Sequence, residues 1–242
     1  MKLNTRVSPD LDTLSHAVLQ EIIKNLKDAV AKRGKFGIAL SGGHTPAKLY
    51  SMWASTDRYR NETPWNLVHI FWGDERYVGP DDPLSNYRMT RETLLSLVPI
   101  PPANVHPVPT QLPTPAAAAE AYEAELKKYF GASAPAFDVT LLGIGPEGHT
   151  ASLFPNSPAL EEKMRWVLPV VAPATPPNRL TITPVVLDQS RNTYFLAAGK
   201  DKRAILDAIQ AEPDDKVSEY PAARIHPVDG RVVWFLDHAA AE

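Results

Sequence analysis

The apolar positions of this chain follow two spacings that alternate along its length. Residues 10–33 carry apolar side chains three to four positions apart, which predicts an amphipathic helix that ends at Gly34. Short continuous apolar runs predict buried strands at residues 36–40, 67–72, 139–142, 166–172, 193–198 and 231–237. Helical spacing and composition predict helices at residues 47–54, 87–98, 116–130 and 201–210, with a short helix beginning at Pro184.

Two stretches interrupt this regular pattern. Residues 73–86 are a long polar run, which predicts a loop. Residues 99–115 are dense in proline and predict an extended connector, because proline cannot continue a helix. Strands and helices alternate on both sides of the connector, so the sequence predicts a single domain over residues 1–242. Such alternation is typical of the α/β class, with a mostly parallel sheet that helices cover on both faces.

The composition narrows the possible classes of protein. The chain has 242 residues, a formal net charge of −3 and no cysteine. The chain has no excess of basic residues that would indicate nucleic-acid binding. The lack of cysteine excludes disulfides, thiolate catalysis and zinc–cysteine sites. No apolar run approaches the ~18 residues of a membrane span, so we expect a cytoplasmic protein without membrane contact. The histidines show no metal-binding spacing, and we expect no metal site.

Residues 41–46, Ser-Gly-Gly-His-Thr-Pro, join a predicted strand to a predicted helix. Successive backbone N–H groups, a helix N-terminus and two hydroxyl groups suit the binding of a phosphate group. A tight turn with a helix cap, which any α/β protein needs, explains the same residues equally well. The segment contains neither a dinucleotide fingerprint nor a P-loop.

A glycine-rich turn follows the predicted strand at residues 139–142. It ends with Glu147 and His149 on either side of Gly148. A histidine near a carboxylate can act as a general base, although a histidine that satisfies backbone groups in a turn is an equal alternative. Residues 143–148 formally match G-x-G-x-x-G, but no helical run follows, so the match does not favour a dinucleotide site.

Charged residues stand at the ends of other predicted strands. Asp74, Glu75 and Arg76 follow the strand at residues 67–72, where a carboxylate and a guanidinium could reach a substrate. A solvated loop or an internal ion pair explains these three residues as well. Arg179 and Lys200 are single basic residues that gain a function only if the fold brings them beside residues 41–45.

Three segments together resemble the 6-phosphogluconolactonase family. They are Leu-Ser-Gly-Gly-His-Thr-Pro at 40–46, Trp-Gly-Asp-Glu-Arg-Tyr-Val at 72–78 with Ser85 and Asn86, and Gly-His-Thr-Ala-Ser-Leu-Phe-Pro at 148–155. They occur in the family's order, and the resemblance extends from about residue 10 to the C-terminus. The family is similar to the glucosamine-6-phosphate deaminases, in which the Gly-His turn continues differently.

The resemblance implies a three-layer α/β/α, modified Rossmann-like sandwich without a metal or an organic cofactor. It implies hydrolysis of 6-phospho-D-glucono-1,5-lactone to 6-phosphogluconate in the oxidative pentose phosphate pathway. The general base would be His149, and Arg76 would stabilise the developing negative charge or orient the reacting groups. The resemblance implies a catalytic set of His149, Arg76, Asp74 and Glu147, and it implies that the substrate's phosphate is bound by Ser41, Gly42, Gly43, Thr45, Arg179 and Lys200. We expect a monomer rather than an obligate oligomer.

Two positions depart from the family's pattern, and two other functions stay open. The family usually has aspartate two residues before the catalytic histidine, where this chain has Glu147, which is one methylene longer. Residues 175–177, Thr-Pro-Pro, stand where the family often has a lysine. A sugar-phosphate isomerase or deaminase of the same fold would use Asp74 as an acid or base. A non-catalytic sugar-phosphate sensor is the other alternative.

Overall fold

Strands and helices alternate along the chain largely as the hydrophobic pattern predicts. The computed structural model describes residues 2–131, 134–213 and 217–242. The strands are β1 Thr5–Ser8, β2 Phe36–Leu40, β3 Val68–Trp72, β4 Asp74–Arg76, β5 Val139–Leu142, β6 Val167–Val171, β7 Asn178–Ile182, β8 Asn192–Ala197 and β9 Arg231–Asp237. The helices are α1 Leu11–Arg33, α2 His44–Ser55, α3 Asp57–Glu62, α4 Asn86–Thr93, α5 Pro115–Phe130, α6 Pro184–Leu187, α7 Arg203–Ala211 and α8 His238–Ala241.

The main sheet has six strands in the order β1-β9-β8-β5-β2-β3, and every neighbouring pair in it is parallel. All residues of β2 and β5 are buried, which explains why these strands are continuous apolar runs in the sequence. Helices flank the sheet and bury their apolar faces on it. The predicted α/β/α class with a mostly parallel sheet is therefore confirmed.

A second sheet joins the predicted strand at residues 166–172, here β6, to β7 and to β4, which lies where the sequence predicts a loop. It is antiparallel and three-stranded, in the order β4-β7-β6. The chain passes from β3 into β4 through Gly73, whose N–H donates to the Leu40 carbonyl at 2.9 Å. Strand β4 has three residues, all of them charged, so no hydrophobic pattern marks it as a strand. This second sheet places β4 and β7 at the carboxyl ends of β2 and β3.

Several predicted boundaries shift by a few residues. Strand β1 was not predicted, because three of its four residues are exposed and its pairing partner, β9, is distant in sequence. Helix α4 ends at Thr93, before the predicted 98, because a 3-10 turn follows it at Leu95–Leu97. Helix α7 begins at Arg203 because Lys200–Lys202 is a 3-10 turn.

The proline-dense connector packs against the edge strand β3. It forms no α-helix before Pro115, as its prolines predict, but a 3-10 turn at Pro102–Asn104 and a turn with bends at residues 110–114 interrupt the extended path that the sequence predicts. The His106 N–H donates to the Ile70 carbonyl at 2.9 Å, and the His106 ring stacks on Phe71 with 4.2 Å between ring centres. In the described part of the chain, no helix has the length and hydrophobicity that a bilayer span requires.

Candidate active site

The carboxyl ends of β2, β3 and β5 and the adjacent second sheet enclose a cleft of about 490 Å³. Eight of the ten residues that the sequence predicts for the site line this cleft. They are Ser41, Gly42, Gly43, Thr45, Asp74, Arg76, His149 and Arg179. Parallel strands bring these segments together because their carboxyl ends share one edge of the sheet.

Two predicted residues, Glu147 and Lys200, do not line the cleft. Glu147 lines a neighbouring hollow together with Tyr220, although its carboxylate still reaches His149. Lys200 is exposed on its 3-10 turn, and Lys202 lines the cleft instead. The sequence reads Lys-Asp-Lys at this point, so only the direction of the turn decides which lysine enters the cleft.

Residues 41–45, here called the 41–45 loop, present backbone N–H groups at the N-terminus of α2. Helix α2 has Gly43 as its N-cap, with a φ of 105°, no side-chain cap and no acidic residue in the first turn. Its first N–H groups therefore have no intrahelical partner and carry the positive end of the helix dipole. The buried Tyr50 hydroxyl fixes the start of the loop, since it accepts from the Ser41 N–H at 3.0 Å and donates to the Ser41 carbonyl at 2.8 Å.

Two arginines face each other across the second sheet. Arg76 on β4 is the direct pairing partner of Arg179 on β7. The Arg179 Nε donates to the Pro176 carbonyl at 2.8 Å, and an Arg76 terminal nitrogen donates to the Leu84 carbonyl at 2.6 Å. Burial, together with the charge of Arg76, lowers the pKa of Arg179 from its usual value. Two neighbouring guanidinium groups that are held by neutral carbonyls form a site for an anion.

Side chains alternate between the two faces of strand β4, so Glu75 lies on the opposite face from Asp74 and Arg76. Asp74 and Arg76 line the cleft, whereas Glu75 is buried and accepts the backbone N–H groups of Asn86 and Tyr87 at 2.8 and 2.7 Å. Burial raises the pKa of Glu75 to about 7 against the opposing effect of these N–H groups. Glu75 therefore fixes the start of α4 and is not a substrate ligand.

The carboxylate of Asp74 is held by two side chains from different parts of the chain. Ser152 Oγ donates to Asp74 Oδ2 at 2.7 Å. The Asn86 amide nitrogen donates to the Asp74 carbonyl at 3.0 Å and lies 3.4 Å from Oδ1. Both partners are buried, so the orientation of Asp74 in the cleft is fixed.

His149 follows a tight turn in which the Gly148 N–H donates to the Gly145 carbonyl at 3.0 Å. Gly148 has a φ of 81°, a conformation that favours glycine. The His149 ring packs on Phe154 with 4.5 Å between ring centres and remains 28% exposed. Its Nδ1 is buried, so Nε2 is the ring nitrogen that can meet a bound molecule.

The contact between His149 and Glu147 is a charge contact without the alignment of a hydrogen bond. Glu147 Oε1 lies 3.1 Å from His149 Nδ1, yet Nδ1 has no aligned hydrogen-bond partner in the described part of the chain. The distance places the Glu147 carboxylate beside the buried ring nitrogen of His149. The longer side chain thus reaches the histidine from outside the cleft.

A histidine, two arginines and the N-terminus of α2 therefore share one cleft at the carboxyl edge of a parallel sheet. This arrangement defines an α/β enzyme that acts on a small phosphorylated molecule. The chain belongs to the glucosamine-6-phosphate isomerase/6-phosphogluconolactonase family, whose model matches residues 9–234. The family membership and the enzymatic nature that the sequence predicts are confirmed.

Relatives agree with this assignment along nearly the whole chain. A protein named 6-phosphogluconolactonase from Synechocystis sp. is 44% identical over 224 residues, which are 91% of this chain and 90% of that protein. A protein of the same name from Nostoc sp. is 40% identical over 99% of this chain and 98% of its own length. The solved structure of 6-phosphogluconolactonase from Trypanosoma cruzi matches with a TM-score of 0.85 and 31% identity, over 99% of this chain and 96% of that one.

Proposed function

We propose that this chain hydrolyses 6-phospho-D-glucono-1,5-lactone to 6-phospho-D-gluconate in the oxidative pentose phosphate pathway. One observation carries the proposal: His149, the arginine pair and the 41–45 loop line the same cleft. The names of the relatives support the choice of substrate. A lactone is an activated ester, so water, a base and an oxyanion partner suffice and no covalent nucleophile is needed.

The 6-phosphate binds at one end of the cleft. Its oxygens accept from the free N–H groups of the 41–45 loop and from the side chains of Arg179 and Lys202. Lys202 takes the place that the sequence prediction gives to Lys200, and its Nζ lies 3.1 Å from Asp201 Oδ2. Binding of this remote group orients the lactone carbonyl toward the reacting residues.

The reaction takes place at the other end of the cleft. His149 Nε2 accepts a proton from a water molecule as the water oxygen bonds to the lactone carbonyl carbon. Arg76 stabilises the oxyanion that forms on the carbonyl oxygen. The tetrahedral intermediate then breaks its bond to the ring oxygen, which takes the proton back from His149, and the ring opens to the acid.

The alternative deaminase chemistry would need Asp74 as a proton carrier. Both of its carboxylate oxygens already face side-chain donors, Ser152 and Asn86. A carboxylate held in this way acts as a fixed acceptor, for example for a sugar hydroxyl group. We therefore expect no ammonia release from glucosamine 6-phosphate, which a coupled ammonia assay measures.

The test of the proposal is His149→Ala in an assay of lactone opening at controlled pH, with the spontaneous hydrolysis subtracted. Loss of a general base lowers kcat by ~10²–10⁴-fold. Binding of 6-phosphogluconate should persist, because the phosphate site is intact. The exposed His238, on α8, provides the matched control His238→Ala, which should retain full turnover. Wild-type turnover in His149→Ala would refute the role of His149.

A further inference from the structure

Asn86 lies between two parts of the cleft, and neither the sequence prediction nor the proposed mechanism gives it a role. It is the first residue of α4, is 2% exposed and lines the cleft. Its amide nitrogen donates to the backbone carbonyl of Asp74 and faces the carboxylate of the same residue. A polar side chain at a helix start could have faced solvent. Its burial therefore indicates that it is held in place by specific polar contacts and does not merely fill space.

The other side of the Asn86 side chain touches the 41–45 loop. A Cβ atom added at Gly42 would lie 1.9 Å from Asn86 Oδ1 and 2.5 Å from Cγ. The loop backbone therefore passes against the amide group, and only a residue without a side chain allows this approach. One amide group contacts both the phosphate-binding loop and the carboxylate at the reacting end.

Asn86 itself is held rigidly. Its backbone N–H donates to the buried Glu75 carboxylate at 2.8 Å, and its backbone carbonyl accepts from Thr90 Oγ1 at 2.9 Å. Asp74 is held on its far side by Ser152, which follows the His149 turn. The contacts thus run without a gap from the 41–45 loop through Asn86 and Asp74 to the segment that carries His149.

We propose that Asn86 is a positioning residue that sets the spacing between the phosphate site and the Asp74 carboxylate. A ligand that spans both sites benefits from this spacing, whereas a ligand of one site does not, because preorganisation of two sites matters only when both are occupied. The choice of a sugar phosphate as the spanning ligand rests on the proposed function.

The first test measures how tightly two ligands, 6-phosphogluconate and inorganic phosphate, bind to the Asn86→Ala variant, by titration calorimetry or by displacement. 6-Phosphogluconate spans both sites and should bind about tenfold more weakly, as expected for a lost hydrogen bond to a charged group. Inorganic phosphate occupies the loop alone and should bind within about twofold of the wild type, since none of its own hydrogen bonds is removed. Equal losses for the two probes, or no loss for either, would overturn the proposal.

The second test is the pair of variants Gly42→Ala and Gly42→Ala/Asn86→Ala. The added methyl group collides with Asn86, so the single variant should weaken 6-phosphogluconate binding by at least about tenfold. Once Asn86 is shortened the methyl group has room, so the same change should cost less than about threefold. A cost that is equal in both backgrounds would show that the contact does not set the spacing.

Two further variants separate positioning from folding. Asn104 is also buried, and its amide nitrogen donates to the Asn66 carbonyl away from the cleft, so Asn104→Ala should leave both probes unaffected. Asn86→Leu keeps the approximate volume without the hydrogen bonds and adds no charge beside the 41–45 loop, and it should show the same difference between probes if Asn86→Ala does not fold.

The role of Asn86 can be tested separately from the proposed function. If the wild type binds 6-phosphogluconate without accelerating lactone hydrolysis, the catalytic proposal fails and the two-probe comparison still decides the role of Asn86. A ligand-free readout is also available, because Gly42→Ala should lower Tm in the wild type and hardly lower it in Asn86→Ala. Equal Tm losses in the two backgrounds would contradict the proposal.

Discussion

The ring of His149 occupies the space that a side chain at Gly145 would take. A Cβ atom at this glycine would lie 1.9 Å from His149 Nδ1 and 2.1 Å from its Cε1. The sequence shows several glycines in the turn but not which of them touches the histidine. Gly148 is needed for its φ of 81°, and Gly145 is needed for the space that it leaves.

Gly145→Ala should therefore reduce kcat/KM for the lactone. The methyl group displaces the His149 ring, and a displacement of about 1 Å at a reacting group costs on the order of 10²-fold. Gly79→Ala is a matched control, since its Cβ would meet no atom within 4 Å. Steady-state kinetics on both variants check the prediction, and a fully active Gly145→Ala would show that the ring position is not critical.

Individual residues of the site were predictable where a motif fixes them. The 41–45 loop, Asp74, Arg76 and His149 belong to contiguous segments at strand ends, and the cleft contains them all. Lys202 was missed because Lys200 lies two positions away and the spacing favours neither. The side chain of Glu147 was expected in the site, but it reaches His149 from the adjacent hollow.

At the scale of elements, the pairing of β4 with β7 in the second sheet is the feature that the sequence did not reveal. Strand β4 is short and charged, and its partner β7 is more than 100 residues away, so neither hydrophobic period nor proximity marks the pairing. The main sheet was predictable because buried parallel strands are continuous apolar runs. The unpredicted pairing is also what places Arg76 beside Arg179 and turns Glu75 toward the start of α4.

The junction between β4 and α4 should make stability depend on pH. Burial raises the pKa of Glu75 from 4.5 to about 7, so between these values the folded protein holds a proton that the unfolded chain releases. The contribution of Glu75 to the free energy of unfolding is therefore fully present below about pH 4.5 and is lost as the pH rises through about 7.

Glu75→Gln removes this titration. The variant should be destabilised overall, because one amide cannot accept from all the donors that Glu75 serves. The difference in unfolding free energy between wild type and variant should shrink as the pH rises from 5 to 8, as urea denaturation at each pH would show. Glu120→Gln, at an exposed position on α5, is the control and should show no such trend. A constant difference for Glu75→Gln would mean that Glu75 is ionised throughout.

At the scale of the whole molecule, the cleft joins segments that are far apart in sequence. Its lining extends from Ser41 after β2 to Lys202 before α7, and Arg179 comes from the second sheet. Positive groups from four elements converge there: the N-terminus of α2, Arg76 on β4, Arg179 on β7 and Lys202 on the 3-10 turn before α7. Only the whole fold brings these charges together, and together they attract an anion.

A bound phosphate ester should therefore stabilise the folded chain as a whole. At a concentration 100-fold above its Kd, 6-phosphogluconate contributes about 2.7 kcal/mol, which for a chain of this size raises Tm by roughly 5–10 °C. Gluconate lacks the phosphate and should give a much smaller shift at the same concentration. Arg179→Ala should lose most of the shift, because the shift depends on an anion bound between elements. Thermal unfolding with each ligand measures these differences, and equal shifts with gluconate and 6-phosphogluconate would show that the converging charges do not bind the phosphate.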